Sequence, residues 1–131
     1  MSTADVRPEA PPREHSPVSD AALWTSVLGP PLVFLLNLEI NYAMVTWACT
    51  SGNGWALHVV HLVSLLAALG AGLMGRALWN RLSGAWPDSL PGSPARARFM
   101  AALGALGGVL FALVILAQWV TAMVLGPCLR A

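Results

Sequence analysis

The run from Trp55 to Trp79, WALHVVHLVSLLAALGAGLMGRALW, decides the fold. Its 25 residues hold one charge, Arg76, close to one end. A helix rises about 1.5 Å per residue, so about 20 apolar residues cross a hydrocarbon layer of about 30 Å. Two more stretches meet that length: Leu23 to Cys49, interrupted only by Glu39, and Phe99 to Gly126, which has no charge. The pattern predicts an all-α fold, a three-span transmembrane helical bundle with a disordered N-terminal tail. The spans are about 23–49, 55–79 and 99–126, within a membrane domain of 23–128.

Composition agrees. Of 131 residues, 56% are hydrophobic and 10% charged, against about 25% charged in ordinary globular domains. A net charge of +1 offers no basic field for nucleic acid, so a nucleic-acid partner is not expected, and no soluble substrate is evident. Residues 1–22 read as a disordered cytoplasmic tail, because Pro8, Pro11, Pro12 and Pro17 are interleaved with Asp5, Arg7, Glu9, Arg13 and Glu14 and no apolar period is present. The tail is not read as a secretory signal, since no basic region leads directly into an apolar run.

Two readings of the first span stand side by side. Pro30 and Pro31 suit the first turn of a helix, which makes Ala21 to Leu28 a short interfacial piece. A single kinked helix from Asp20 is the other. The connection 80–98 holds Arg81, Arg96 and Arg98, with Arg76 just before it, against one Asp88, whereas Thr50 to Gly54 is uncharged. The positive-inside rule places the arginine-rich loop and the N-terminus in the cytoplasm and Arg130 outside, in a bacterial inner membrane. Trp24, Trp79 and Trp86 fall at one interface and Trp47 and Trp55 at the other, as amphipathic indoles prefer; Trp119 lies deeper.

This topology brings Cys49 and Cys128 out on the same, oxidising side and predicts a Cys49–Cys128 disulfide. Glu39 sits near the bilayer centre, where an acidic side chain needs a partner or a neutral form. At about 100° per residue it shares a face with Tyr42 and Thr46, while Asn37 and Asn41 occupy the nearly opposite face. A helix polar on two sides points to a partner subunit. In span two, His58 and His61 continue into Ser64, Ala68, Gly72 and Gly75. In span three, Gly104, Gly108 and Ala112 recur every four residues with Gln118 on the same side. Both are stripes for close helix packing. Counting rise puts Glu39, Tyr42, His61, Ser64 and Gln118 within about two helical turns in depth, which allows one hydrogen-bonded cluster, whether as interhelical glue or as a proton relay.

His58 and His61 cannot ligate one haem from opposite sides, because residues three apart on a helix point the same way. No cofactor or metal is expected; the nearest metal reading is copper, from His58, His61 and Met44 with Cys49, Met123 and Cys128, whose soft S and N donors suit Cu(I). No nucleophile triad, phosphate loop or carboxylate pair is present, so the chain is not read as an autonomous enzyme.

The runs Asn41-Tyr42-Ala43-Met44-Val45-Thr46-Trp47-Ala48-Cys49 and Leu57-His58-Val59-Val60-His61-Leu62-Val63 resemble a group of small, uncharacterised bacterial membrane proteins. In these, Tyr-Ala-Leu-Val-x-x-Ala-Cys ends one span and Leu-His-x-Val-x-Leu opens the next. Tyr42, Cys49 and His58 match that pattern, and Met44 replaces a usual Leu. Such proteins are often encoded near haem–copper terminal oxidases, and the group defines no catalytic residue. The resemblance, over about residues 23–81, implies an accessory subunit of a respiratory or electron-transfer complex, with larger membrane subunits and the lipid bilayer as partners. An assembly or copper-delivery factor and a small transporter component are the alternatives.

Overall fold

The computed structural model describes residues 18–82, 93–126 and Cys128. The readings of residues 1–17 as a disordered tail, of Trp86 in the 80–98 loop as an interface residue, and of Arg130 as external lie outside the described residues. The described residues form three helices: α1 (Asp20–Ser51), α2 (Trp55–Arg81) and α3 (Ser93–Leu125). Each packs on the other two, which makes the fold an all-α three-helix bundle.

Ser19 starts α1. Its backbone is extended and its hydroxyl oxygen accepts from the Ala22 N–H at 3.3 Å, while Asp20 in the first turn faces the positive end of the helix dipole. The helix therefore takes in residues 20–22, assigned above to the tail, and of the two readings of span one the structure has the continuous helix. Pro30 and Pro31 lie inside it and remove two N–H donors from its ladder. Packing holds the helix together across that gap: Leu23, Ser26, Pro30, Asn37 and Ala48 are all buried, on one face. At the other end Gly52 adopts φ 67°, a left-handed cap, and donates its N–H to Ala48 O. Only 52–54 separate α1 from α2, so the two helices run antiparallel. Gly126, at φ 66°, ends α3 in the same way.

The helices meet through small residues. A Cβ added at Gly75 would stand 2.5 Å from Ala105 N, one at Gly104 2.6 Å from Ser26 Oγ, and one at Gly72 3.1 Å from Gly108 Cα. Backbone thus lies on backbone along Gly72, Gly75, Gly104 and Gly108, as the four-residue stripes require. Below this contact Val18, Leu23, Leu78 and Ala101 form one apolar cluster; above it Ala68, Ala112 and Ile115 form another.

Arg76, Arg81, Arg96 and Arg98 gather at the end remote from Cys49. Arg96 and Arg98 stand on the first turns of α3 rather than in a loop. Arg98 Nε donates to Leu82 O at 2.9 Å, placing a cation at the carbonyl end of α2. The opposite end, the disulfide end, joins Cys49 to Cys128 with Cα atoms 5.5 Å apart.

The solvent preference of the bundle is inverted. Leu28, Leu32, Leu35 and Leu36 on α1, Leu66 and Leu73 on α2, and Leu106 and Leu113 on α3 are exposed, whereas Ser26, Asn37, His61 and Ser64 are buried. A contiguous apolar surface of this extent does not persist in water. All three helices are long and apolar enough to cross a membrane.

Candidate functional site

The polar residues of the three helices separate into two groups on opposite sides of α1. The inner group begins at Asn37, which is 1% exposed. Its Nδ2 donates to Gln118 Oε1 on α3 at 3.2 Å. Asn41, one turn on, donates from Nδ2 to Asn37 O at 2.6 Å and to Asn37 Oδ1 at 3.1 Å. The Asn37–Gln118 bond joins α1 to α3, and the Asn41 bonds brace Asn37 within α1, at the level where α2 presents His61. That ring is buried, and its Nδ1–H donates to Leu57 O at 2.8 Å, since a carbonyl oxygen only accepts. In the neutral ring Nε2 then carries the lone pair. Ser64 is buried one turn further along α2.

Trp119 completes the inner group. Its indole N–H donates to His58 Nδ1 at 2.9 Å. An indole is a donor only, so His58 stands as the Nε2–H tautomer. The same indole stacks on His61, with centroids 6.4 Å apart and planes 15° apart, and tilts against His58 at 6.5 Å. Trp119 is the member that sequence reasoning missed. Its signal was depth: an indole below the interface belt needs a partner for its N–H.

Between the helices, in the half nearer the disulfide, lies a groove of about 590 Å³. Asn37, Asn41, His61, Gln118 and Thr121 supply its polar lining, the Thr121 hydroxyl donating back to Ala117 O, and Leu38, Val45, Leu57, Val114 and Leu125 are among its apolar walls. Leu38 and Leu125 are exposed, so the groove opens sideways, towards hydrocarbon.

The outer group is Glu39 and Tyr42. Depth alone allows them to join His61, Ser64 and Gln118, but the structure does not bring them there. Glu39 is exposed and Tyr42 is 82% exposed, on the side of α1 turned away from α2 and α3. The physical reason is rotation: depth counts rise along a helix and ignores the angle around it. Other exposed hydroxyls satisfy themselves on their own helix. Thr25 donates to Ala21 O at 2.7 Å, Ser51 to Trp47 O at 2.8 Å and Thr121 to Ala117 O at 2.8 Å. Among the described residues, neither the Glu39 carboxyl nor the Tyr42 hydroxyl has a hydrogen-bond partner.

The copper donors are not gathered. Both cysteine sulfurs are joined in the disulfide, and the Nδ1 atoms of His58 and His61 face Trp119 and Leu57. Met44 is half-buried on α1. Among the described residues no group of three or more His, Cys, Asp or Glu forms a metal-ligand cluster. No protein-family model, no curated protein and no solved structure matches the chain.

Proposed function

We propose that the protein is a small accessory subunit of a larger integral-membrane complex, held by the outer face of α1 and serving to stabilise that complex. The observation that supports this most directly is Glu39. An acidic side chain at the centre of a span costs about 2.5 to 3.5 kcal/mol to insert, and the described residues supply it with no partner. The residues around it have the spacing of a helix-packing seam. Leu28, Leu32, Leu35, Glu39, Tyr42 and Thr46 alternate four and three apart and are all exposed, which suits a partner helix crossing at about 20°. That helix would carry a donor at the depth of Glu39.

The reading of the complex as a respiratory one, of the haem–copper oxidase type, rests on the resemblance of the Tyr42–Cys49 and Leu57–Val63 runs. Its placement in a bacterial inner membrane, with the arginine end cytoplasmic and the disulfide end outside, rests on Arg76, Arg81, Arg96 and Arg98 and on the oxidising compartment that a disulfide needs.

Purification of the tagged full chain in mild detergent tests the proposal. Larger membrane chains are expected to co-purify at stoichiometric ratio, and Glu39→Leu is expected to release them while the chain keeps its disulfide. A wild-type chain that migrates alone, or as a dimer of itself, would count against the proposal.

A further inference from the structure

We propose that the groove between the three helices binds a neutral lipid whose headgroup is an alcohol or a phenol, with the hydroxyl seated between Gln118 and His61. The argument begins with hydrogen-bonding capacity. Gln118 uses its Oε1 to accept from Asn37, which leaves both N–H donors of its Nε2. His61 uses Nδ1–H on Leu57 O, which leaves the lone pair of Nε2. Asn41 spends both donors on Asn37, which leaves its Oδ1. Among the described residues, none of these atoms has a partner.

They are not sealed in, either: no buried side-chain nitrogen or oxygen among the described residues lacks a hydrogen bond. The three open atoms are therefore accessible, and the residues that carry them border the groove. Hydrocarbon offers them nothing, and an unmet polar group at this depth is costly.

The occupant must accept from Gln118 and donate to His61 or Asn41. One hydroxyl does both. It must also be uncharged, because no Arg, Lys, Asp or Glu lines the groove and an ionic head would be buried without a counter-charge. Water meets the hydrogen-bonding need but not the rest of the space. The groove volume equals that of about twenty liquid water molecules, and much of its wall is Leu and Val. A hydrocarbon tail fills that part and leaves through the side where Leu38 and Leu125 are exposed. The volume lies within the usual range for small-molecule sites. The groove and the Glu39 seam are on different sides of α1, so this inference does not depend on the accessory-subunit reading.

Native mass spectrometry of the full chain released from mild detergent tests it. The probes are 1,2-dioleoylglycerol, an aliphatic alcohol, and a decyl-tailed hydroquinone, a phenol, each paired with its methyl ether. At least one hydroxyl probe is expected to be retained about tenfold better than its ether, the size of one good hydrogen bond. Whichever is retained identifies the headgroup source. Gln118→Leu and His61→Leu should each lower retention about tenfold. Val45→Trp, which fills the groove without touching those hydrogen bonds, should abolish it even where a polar variant disturbs the bundle. Each variant is checked for the intact Cys49–Cys128 bond. Equal retention of alcohol and ether, retention of neither probe, or unchanged retention in Val45→Trp overturns the inference.

Discussion

Asn37 and Glu39 stand two positions apart on α1 and about 200° apart around its axis. Asn37 points into the bundle and ties α1 to α3 through Gln118, whereas Glu39 is exposed and has no hydrogen-bond partner among the described residues. Their substitutions should separate accordingly. Asn37→Leu removes two side-chain hydrogen bonds, one within α1 and one to Gln118 that is worth about 0.6 kcal/mol as a bond between membrane helices, and strands Gln118 Oε1; a loss of about 1 to 2 kcal/mol is expected in reversible unfolding from mixed micelles. Glu39→Leu should change the same free energy by less than about 0.5 kcal/mol, as exposed substitutions usually do. Equal effects would mean that the inner and outer groups are wrongly distinguished. That these residues lie on opposite sides of α1 is legible in the sequence, because spacing fixes relative angle. Which side turns inward is not, because it depends on where α2 and α3 place Gly75, Gly104 and Gln118. Nor does any local pattern pair Trp119 with His58, whose hydrogen bond spans 61 residues of chain.

The packing stripes show the same division at the scale of the element. Four-residue spacing marks Gly72, Gly104 and Gly108 as contact positions, and there the helices are nearly in backbone contact. Gly70 and Gly107 lie in the same helices and look alike in sequence, yet nothing stands within 4 Å of a Cβ built on either. Gly75→Ala and Gly104→Ala are therefore expected to cost about 1 to 3 kcal/mol by forcing helices apart. Gly70→Ala and Gly107→Ala should be neutral or stabilising by up to about 1 kcal/mol, from helix propensity alone. Thermal unfolding of the four variants in one detergent checks the sign of each. The start of α1 is likewise set by packing. Proline chemistry leaves the start at Pro30 and the start at Asp20 equally acceptable; what decides is tertiary, since Leu23 and Ser26 on the earlier turns are buried against α2 and α3.

For the whole molecule, apolar lengths alone give three spans, and charge asymmetry separates an arginine end from a disulfide end. The groove is not readable this way, because its walls come from all three helices and its size depends on how they diverge beyond their glycine contacts. The Cys49–Cys128 link closes a loop of 79 residues, for which chain entropy sets an upper figure of about 4 to 5 kcal/mol; spans already confined to a bilayer should yield less. Alkylation is expected to add no thiol adduct to the purified protein before reduction and two after it, with the mass of the intact chain as readout. Two adducts without reductant would show that the link is absent from the protein as purified.

That link also carries a record of insertion. Cys49 ends the first span, whereas Cys128 lies beyond the last helix. During synthesis Cys49 stands as a lone thiol until α3 has been threaded in the same direction as α1. In the orientation proposed above, a chain whose third helix stalls, or enters reversed, would keep its second sulfur on the cytoplasmic side and stay reduced. Oxidation state would then distinguish finished molecules from misthreaded ones, and a cell could sort the two by chemistry at a single exposed cysteine.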